Sequence, residues 1–138
     1  MSTFEYILGH TLASTYNGEN TILVKNSGTQ YQTIGASAFE GLISPSGPHP
    51  PVGSVSLEFE SGSDCNSING KAFNNCPSLT EAAFPPSLNS IGSVAFALPS
   101  SPPPGQGLSS VTFTDIANST LTSIGGQSFQ HQSNLTSI

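Results

Sequence analysis

Thr33-Ile34-Gly35-Ala36-Ser37-Ala38-Phe39 recurs three more times along the chain. The later copies are Ser67-Ile68-Asn69-Gly70-Lys71-Ala72-Phe73, Ser90-Ile91-Gly92-Ser93-Val94-Ala95-Phe96 and Ser123-Ile124-Gly125-Gly126-Gln127-Ser128-Phe129. Each holds an Ile, then Gly or Asn, then a small residue and a Phe four and five positions after the Ile. Self-similarity at a period of roughly 20–50 residues marks a solenoid. Such a fold stacks units that cannot bury an apolar face alone. It favours binding or structural roles over catalysis.

The Ile positions 34, 68, 91 and 124 give intervals of 34, 23 and 33 residues. The middle interval reads as the basic unit, and the others carry about ten extra residues. A second element follows each phrase: Val52-x-x-Val55-x-Leu57, Leu79-x-x-Ala82-x-Phe84, Leu108-x-x-Val111-x-Phe113, then Leu135-x-x-Ile138. Apolar residues two apart give a short strand with alternating faces. Tyr31, Cys65, Leu88 and Leu121 each precede their Ile by three. The spacing predicts four units over residues 31–138, alternating long and short.

The added length is Pro-rich, in Ser44-Pro45-Ser46-Gly47-Pro48-His49-Pro50-Pro51 and Pro99-Ser100-Ser101-Pro102-Pro103-Pro104-Gly105. Solenoid insertions map to loops on one face, so both should leave the same edge. Stiff, extended Pro runs lose little entropy on contact. Pro48, His49, Pro50, Pro102, Pro103 and Pro104 are therefore candidate partner-binding residues, against the plainer reading of tolerated surface insertions.

Leu121-Thr122-Ser123-Ile124-Gly125 and Ala72-Phe73-Asn74-Asn75-Cys76-Pro77-Ser78-Leu79-Thr80 resemble the BspA-type leucine-rich repeat, also called the Treponema pallidum type. The resemblance covers about residues 31–138. It departs from the family in the inserted loops, and the family's Cys occurs once, at Cys76. It implies a parallel solenoid with one short strand per unit. It also implies cell-surface adhesion or host-protein binding, in viral as well as cellular proteins, with no shared catalytic residue.

Residues 1–30 lie outside the phrase. Their strand-like runs around Asn17-Gly18, a strong turn signal, predict an N-terminal β-hairpin cap or a small strand cap. At the other end, Ile138 falls inside the fourth strand element. An uncapped rung there presents apolar residues and unpaired edges. Either the chain continues or another chain covers it, which makes Ile138 a candidate junction.

Composition excludes several functions. Lys+Arg number 2 against Asp+Glu 8, a net charge of −6, so nucleic acid is not an expected partner. Anionic membrane surfaces are disfavoured for the same reason. The longest apolar runs, such as Thr21-Ile22-Leu23-Val24, are too short to span a bilayer. Met1-Ser2-Thr3-Phe4-Glu5 is not the start of a basic region followed by an apolar run, so no secretory signal is expected.

Chemistry-bearing motifs are sparse. Cys65 aligns with Leu88 and Leu121 and should face the core, and Cys76 has the family's packing role; a disulfide between them is the lesser alternative. His10, His49 and His131 share no repeat position. Glu58, Glu60 and Asp64 cluster after the first strand, where a solvated turn is favoured over a weak calcium site. Asn118-Ser119-Thr120 and Asn134-Leu135-Thr136 match the glycosylation acceptor, as chance produces in so Ser-, Thr- and Asn-rich a chain. No cofactor, metal or catalytic constellation is expected.

The outward strand positions are Ser56 and Glu58, Glu81 and Ala83, then Ser110 and Thr112, a flat and small-residued face. Ser56, Glu58 and Thr112 join the candidate contact residues, facing a protein or a surface glycan. The expected function is a non-enzymatic structural or adhesive protein on a particle surface, a virion or phage fibre or decoration component, acting as a homo-oligomer or beside neighbouring subunits. The alternative is a cell-surface adhesion module of a bacterium or protist that binds host protein or glycan.

Overall fold

The computed structural model describes residues 3–9, 15–28, 31–99 and 106–135. The chain is a mainly-β repeat solenoid with two parallel sheets. In chain order the strands are β1 (Thr3–Ile7), β2 (Thr21–Lys25), β3 (Thr33–Ile34), β4 (Val55–Phe59), β5 (Ser67–Ile68), β6 (Leu79–Phe84), β7 (Ser90–Ile91), β8 (Ser110–Phe113) and β9 (Ser123–Ile124). The longer strands form one sheet in the order β1-β2-β4-β6-β8, and the two-residue strands form the other as β3-β5-β7-β9. The expectation of one strand per unit is thus corrected to two. A dipeptide is too short to show alternation, but stacked in register it still pairs.

The recurring phrase builds the turn that joins the two sheets. Its Ile is buried in the first three copies, at Ile34, Ile68 and Ile91. The residue three places later takes a left-handed backbone in every copy: φ is +60° at Ser37, +62° at Lys71, +49° at Val94 and +61° at Gln127. That kink turns alternate N–H groups toward the next rung. Phe39 N donates to Ala72 O, Phe73 N to Ala95 O and Phe96 N to Ser128 O, at 2.7, 2.7 and 2.8 Å. The Gly of the phrase is set by the same approach, since a Cβ on Gly92 or Gly125 would come 2.5 Å from the preceding rung's backbone N.

Identical placement puts the Phe side chains in a column. Phe39, Phe73, Phe96 and Phe129 stack with centroids 4.9, 5.1 and 5.3 Å apart and planes within 8° of parallel. This offset stacking suits the ring quadrupole. Phe59, Phe84 and Phe113 form a second, tilted column from the long-strand sheet. The small residue before each Phe, Ala38, Ala72 and Ala95, is wholly buried. In the fourth phrase Ser128 takes this place, and its hydroxyl donates to the carbonyls of Gly92 and Gly125.

Three expectations are corrected by the structure. β1 and β2 are parallel, pairing Phe4 with Ile22 and Tyr6 with Val24, so the N-terminal element is not a hairpin. It extends the repeat sheet instead, because Phe4/Ile22/Leu57 and Tyr6/Val24/Phe59 continue the same inward rows. Second, Leu57 pairs with Ala82, while Val55 pairs with Leu79 across an irregularity in register. Val52 therefore leaves the strand and is 91% exposed. Third, Cys65 and Leu88 are buried as expected, whereas Tyr31 is 58% exposed. Its side chain lies over Gly9, where an added Cβ would come 2.7 Å from Tyr31 Cβ and 2.8 Å from the ring at Cγ.

The first rung is covered by aromatic rings, with Phe4 and Tyr16 edge-on to Phe39 and Tyr6 tilted against it. Tyr6 Oη accepts from Gly35 N at 2.9 Å, which replaces a rung-to-rung backbone bond. At the last described rung Ile124 is 53% exposed, against 2% or less at the equivalent Ile34, Ile68 and Ile91. The expected junction residue Ile138 lies outside the described residues.

Candidate interaction surfaces

Two surfaces gather the residues singled out above. The first is the outer face of the long-strand sheet. Parallel pairing aligns Thr21, Ser56, Glu81 and Ser110 in one row, and the neighbouring row brings Leu23 beside Glu58 and Ala83 beside Thr112. A shallow groove of about 170 Å³ runs past Ser56, Glu58, Glu81, Ala83, Ser110 and Thr112. The structure thus brings Ser56, Glu58 and Thr112 together. Ser56 Oγ lies 3.5 Å from Glu58 Oε2, and Glu58 and Glu81 are both exposed. This face is hydroxyl-rich and acidic. It lacks the aromatic and Arg anchors on which tight interfaces concentrate their energy.

The second surface is the edge from which the Pro-rich insertions leave. Pro48, His49 and Pro50 are exposed there. Pro99, at the root of the second insertion, lines one cleft with Pro45 of the first insertion and with Pro77 from the stretch between them. The described roots of both insertions therefore lie on one edge. Pro102, Pro103 and Pro104 lie outside the described residues. The cleft holds about 370 Å³, and Ser44, Ser46, Asn75 and Gln106 supply its polar groups. An adjoining hollow of about 290 Å³ shares Pro45, Pro77 and Gln106 and reaches Pro51 and Gly53.

The first insertion is held to the body by side-chain and backbone contacts. Asn20 Nδ2 donates to Val52 O at 2.9 Å and to Ser54 O at 3.2 Å. Gly18, at φ +84°, lets the backbone of His49 and Pro50 come close, since a Cβ there would lie 3.0 Å from Pro50 O. Asn17-Gly18, read from sequence as a hairpin turn, here seats the insertion. Val52 stands exposed on this pinned segment, although the strand pattern had placed it inside.

The remaining candidates have structural places. Glu60 accepts from Asn26 N and lies 3.5 Å from Lys25 Nζ, and Asn26 Oδ1 accepts from Asp64 N. Those acids anchor β2 to the segment after β4. Among the described residues, no group of three or more His, Cys, Asp or Glu is placed to hold a metal ion. Cys65 and Cys76 are both free and buried, and burial pushes each thiol up to about 12, far from a reactive thiolate at neutral pH. Cys76 Sγ instead donates to Phe39 O at 3.0 Å. Among the described residues no helix is long and apolar enough to cross a membrane.

Neither the curated proteins nor the solved structures contain a match to the chain. The family model of the BspA type leucine rich repeat region matches residues 54–138 in six copies. Repeats of this type are generally protein-interaction modules, typically associated with surfaces, and not enzymes. Together with the stacked Ile and Phe phrases, that match places the chain in the BspA-type leucine-rich repeat family.

Proposed function

We propose that the protein is a non-enzymatic structural or adhesive component of a particle surface, a virion or phage fibre or decoration protein, which makes its contacts through the Pro-rich edge and the outer strand face. The observation that carries this reading is the pinned insertion. A loop held by Asn20 and Gly18 that leaves Pro48, His49, Pro50 and Val52 exposed is preorganised for contact. Only 7% of residues are charged, which suits close packing against neighbouring subunits or a polar glycan surface.

The second reading is a cell-surface adhesion module of a bacterium or protist, favoured by the usual surface association of the family. An antibody to the purified chain, applied to density-gradient fractions of the source culture, separates the two. A peak with the particles supports the first reading, and a peak with the cell envelope replaces it by the second. A wholly soluble pool overturns both.

A further inference from the structure

We propose that the proline-lined edge is a self-association surface, on which a second copy of the chain docks about a twofold axis with Val52 of each copy seated in the other's cleft. This rests on reading the protein as a contact module and adds the partner that the Pro-rich edge takes.

Three observations converge on it. Val52 is 91% exposed, follows Pro50-Pro51 and is tied through its own carbonyl to Asn20. A β-branched side chain on a fixed backbone has little freedom left to lose on burial. Its receptor lies alongside: the hollow bounded by Pro51 and Gly53 opens into the cleft of Pro45, Pro77 and Pro99. A twofold interface requires this adjacency, because each copy must present both the knob and the hole on one patch.

Charge selects the occupant. Among the described residues, neither the cleft nor the adjoining hollow is lined by an ionisable one. Of the ten Lys, Asp and Glu residues, nine lie in residues 1–81, and Asp115 is the only one beyond. Two copies that each carry −6 repel wherever their acids face one another, so they can meet closely only where charge is missing. A basic partner would be drawn to Glu58 and Glu81 on the strand face instead. Loss of charge from the centre of a contact patch is itself a mark of interfaces.

The test is sedimentation velocity with light scattering on the full chain over a concentration series. The expected result is a monomer–dimer equilibrium that stops at the dimer. Val52→Asp should raise the dimer dissociation constant by about tenfold or more, as for a buried anchor, and leave the circular dichroism and melting curve unchanged. Pro99→Asp, across the cleft, should do the same, and Glu58→Gln on the strand face should not. A monomer at every concentration, an open-ended series of oligomers, or a dimer that survives Val52→Asp would each overturn the proposal. A monomer that still sediments with particles or envelope retires the dimer and keeps the contact-module reading, whereas a dimer found only in the soluble pool does the reverse.

Discussion

Replacing Phe73 by Ala tests whether the aromatic column holds the rungs together. Phe73 is 1% exposed and stacks on both sides, 4.9 Å from Phe39 and 5.1 Å from Phe96. Truncating a buried Phe costs about 3–5 kcal/mol through lost transfer energy and the cavity left behind. Each ring pair is worth about 0.5–1.5 kcal/mol beyond its area, which puts Phe73→Ala at the upper end of that range. Phe129 is half-buried and stacks on one side only, 5.3 Å from Phe96, so its truncation should cost about 2 kcal/mol. Natural domains are stable by about 5–15 kcal/mol, so the central change removes a large share of the total. Urea unfolding followed by far-ultraviolet circular dichroism reads both losses as shifts in midpoint. A solenoid is held by nearest-neighbour contacts, so Phe73→Ala should also broaden or split the transition by uncoupling the rungs on either side. Equal losses at Phe73 and Phe129 would refute the reasoning, because stacking would then not be what couples the rungs.

Val94 is a β-branched residue at φ +49°, a backbone region that such side chains rarely enter. Val94→Asn should therefore stabilise the fold by about 0.5–1 kcal/mol, seen as a higher melting temperature, while the rung-to-rung bond from residue 94 N to Gly126 O is kept. Burial raises Cys65 and Cys76 from the ordinary 9.0 to about 12. Their thiols stay neutral in the folded chain while those of the unfolded chain ionise, so the stability they contribute is full below pH 9 and lost between about pH 9 and 12. A urea series across that range should show the loss, at up to about 1.4 kcal/mol per pH unit per cysteine. Cys65→Ala with Cys76→Ala should remove the part that sets in at about pH 9, leaving above about pH 10 the part due to Tyr6 and Tyr16, whose hydroxyls burial also pushes up.

The repeat architecture was legible because its determinants are local. An Ile, a Gly and a Phe at fixed offsets dictate a kinked turn, and the turn dictates stacking, so four phrases imply one column. Cys65 could be placed inside by its alignment with Leu88 alone, and strand alternation set Ser56, Glu81 and Ser110 on the outward side. The alignment put Ser56 beside Ala83 and Thr112, however, where the ladder pairs it with Glu81. Strand direction at the N-terminus was not legible. Asn17-Gly18 is a strong local hairpin signal, but the inward rows that Phe4 and Tyr6 share with Ile22 and Val24 favour parallel pairing. Val52 was misplaced for a related reason. The irregularity between Val55 and Ser56 shifts the ladder, and an apolar residue two or three places from a strand looks the same in sequence whichever side of the shift it falls on. The cleft was least legible of all, because Pro45, Pro77 and Pro99 come from three different units and meet only once the rungs are stacked.

The two surfaces should respond to salt in opposite directions, and that would decide which one a bound partner uses. The strand face presents Glu58 and Glu81, and Glu5 and Glu58 both lie beside Leu23 in neighbouring strands, while Lys25, one row further along β2, is drawn to Glu60 at 3.5 Å. A partner held there by positive charge should weaken as ionic strength rises, since screening acts within about 8–10 Å at 0.10–0.15 M salt. Contacts at the Pro45, Val52, Pro77 and Pro99 edge bury apolar surface with no charge in the cleft lining, and sulfate strengthens burial of that kind. Binding measured by calorimetry in chloride and then in sulfate should therefore fall with salt for a strand-face partner, and hold or rise for an edge partner. Glu58→Gln should remove the salt dependence in the first case and change nothing in the second. An edge contact that collapsed at moderate chloride would mean that the acids of the first rungs reach across to it, and the separation of the two surfaces would fail.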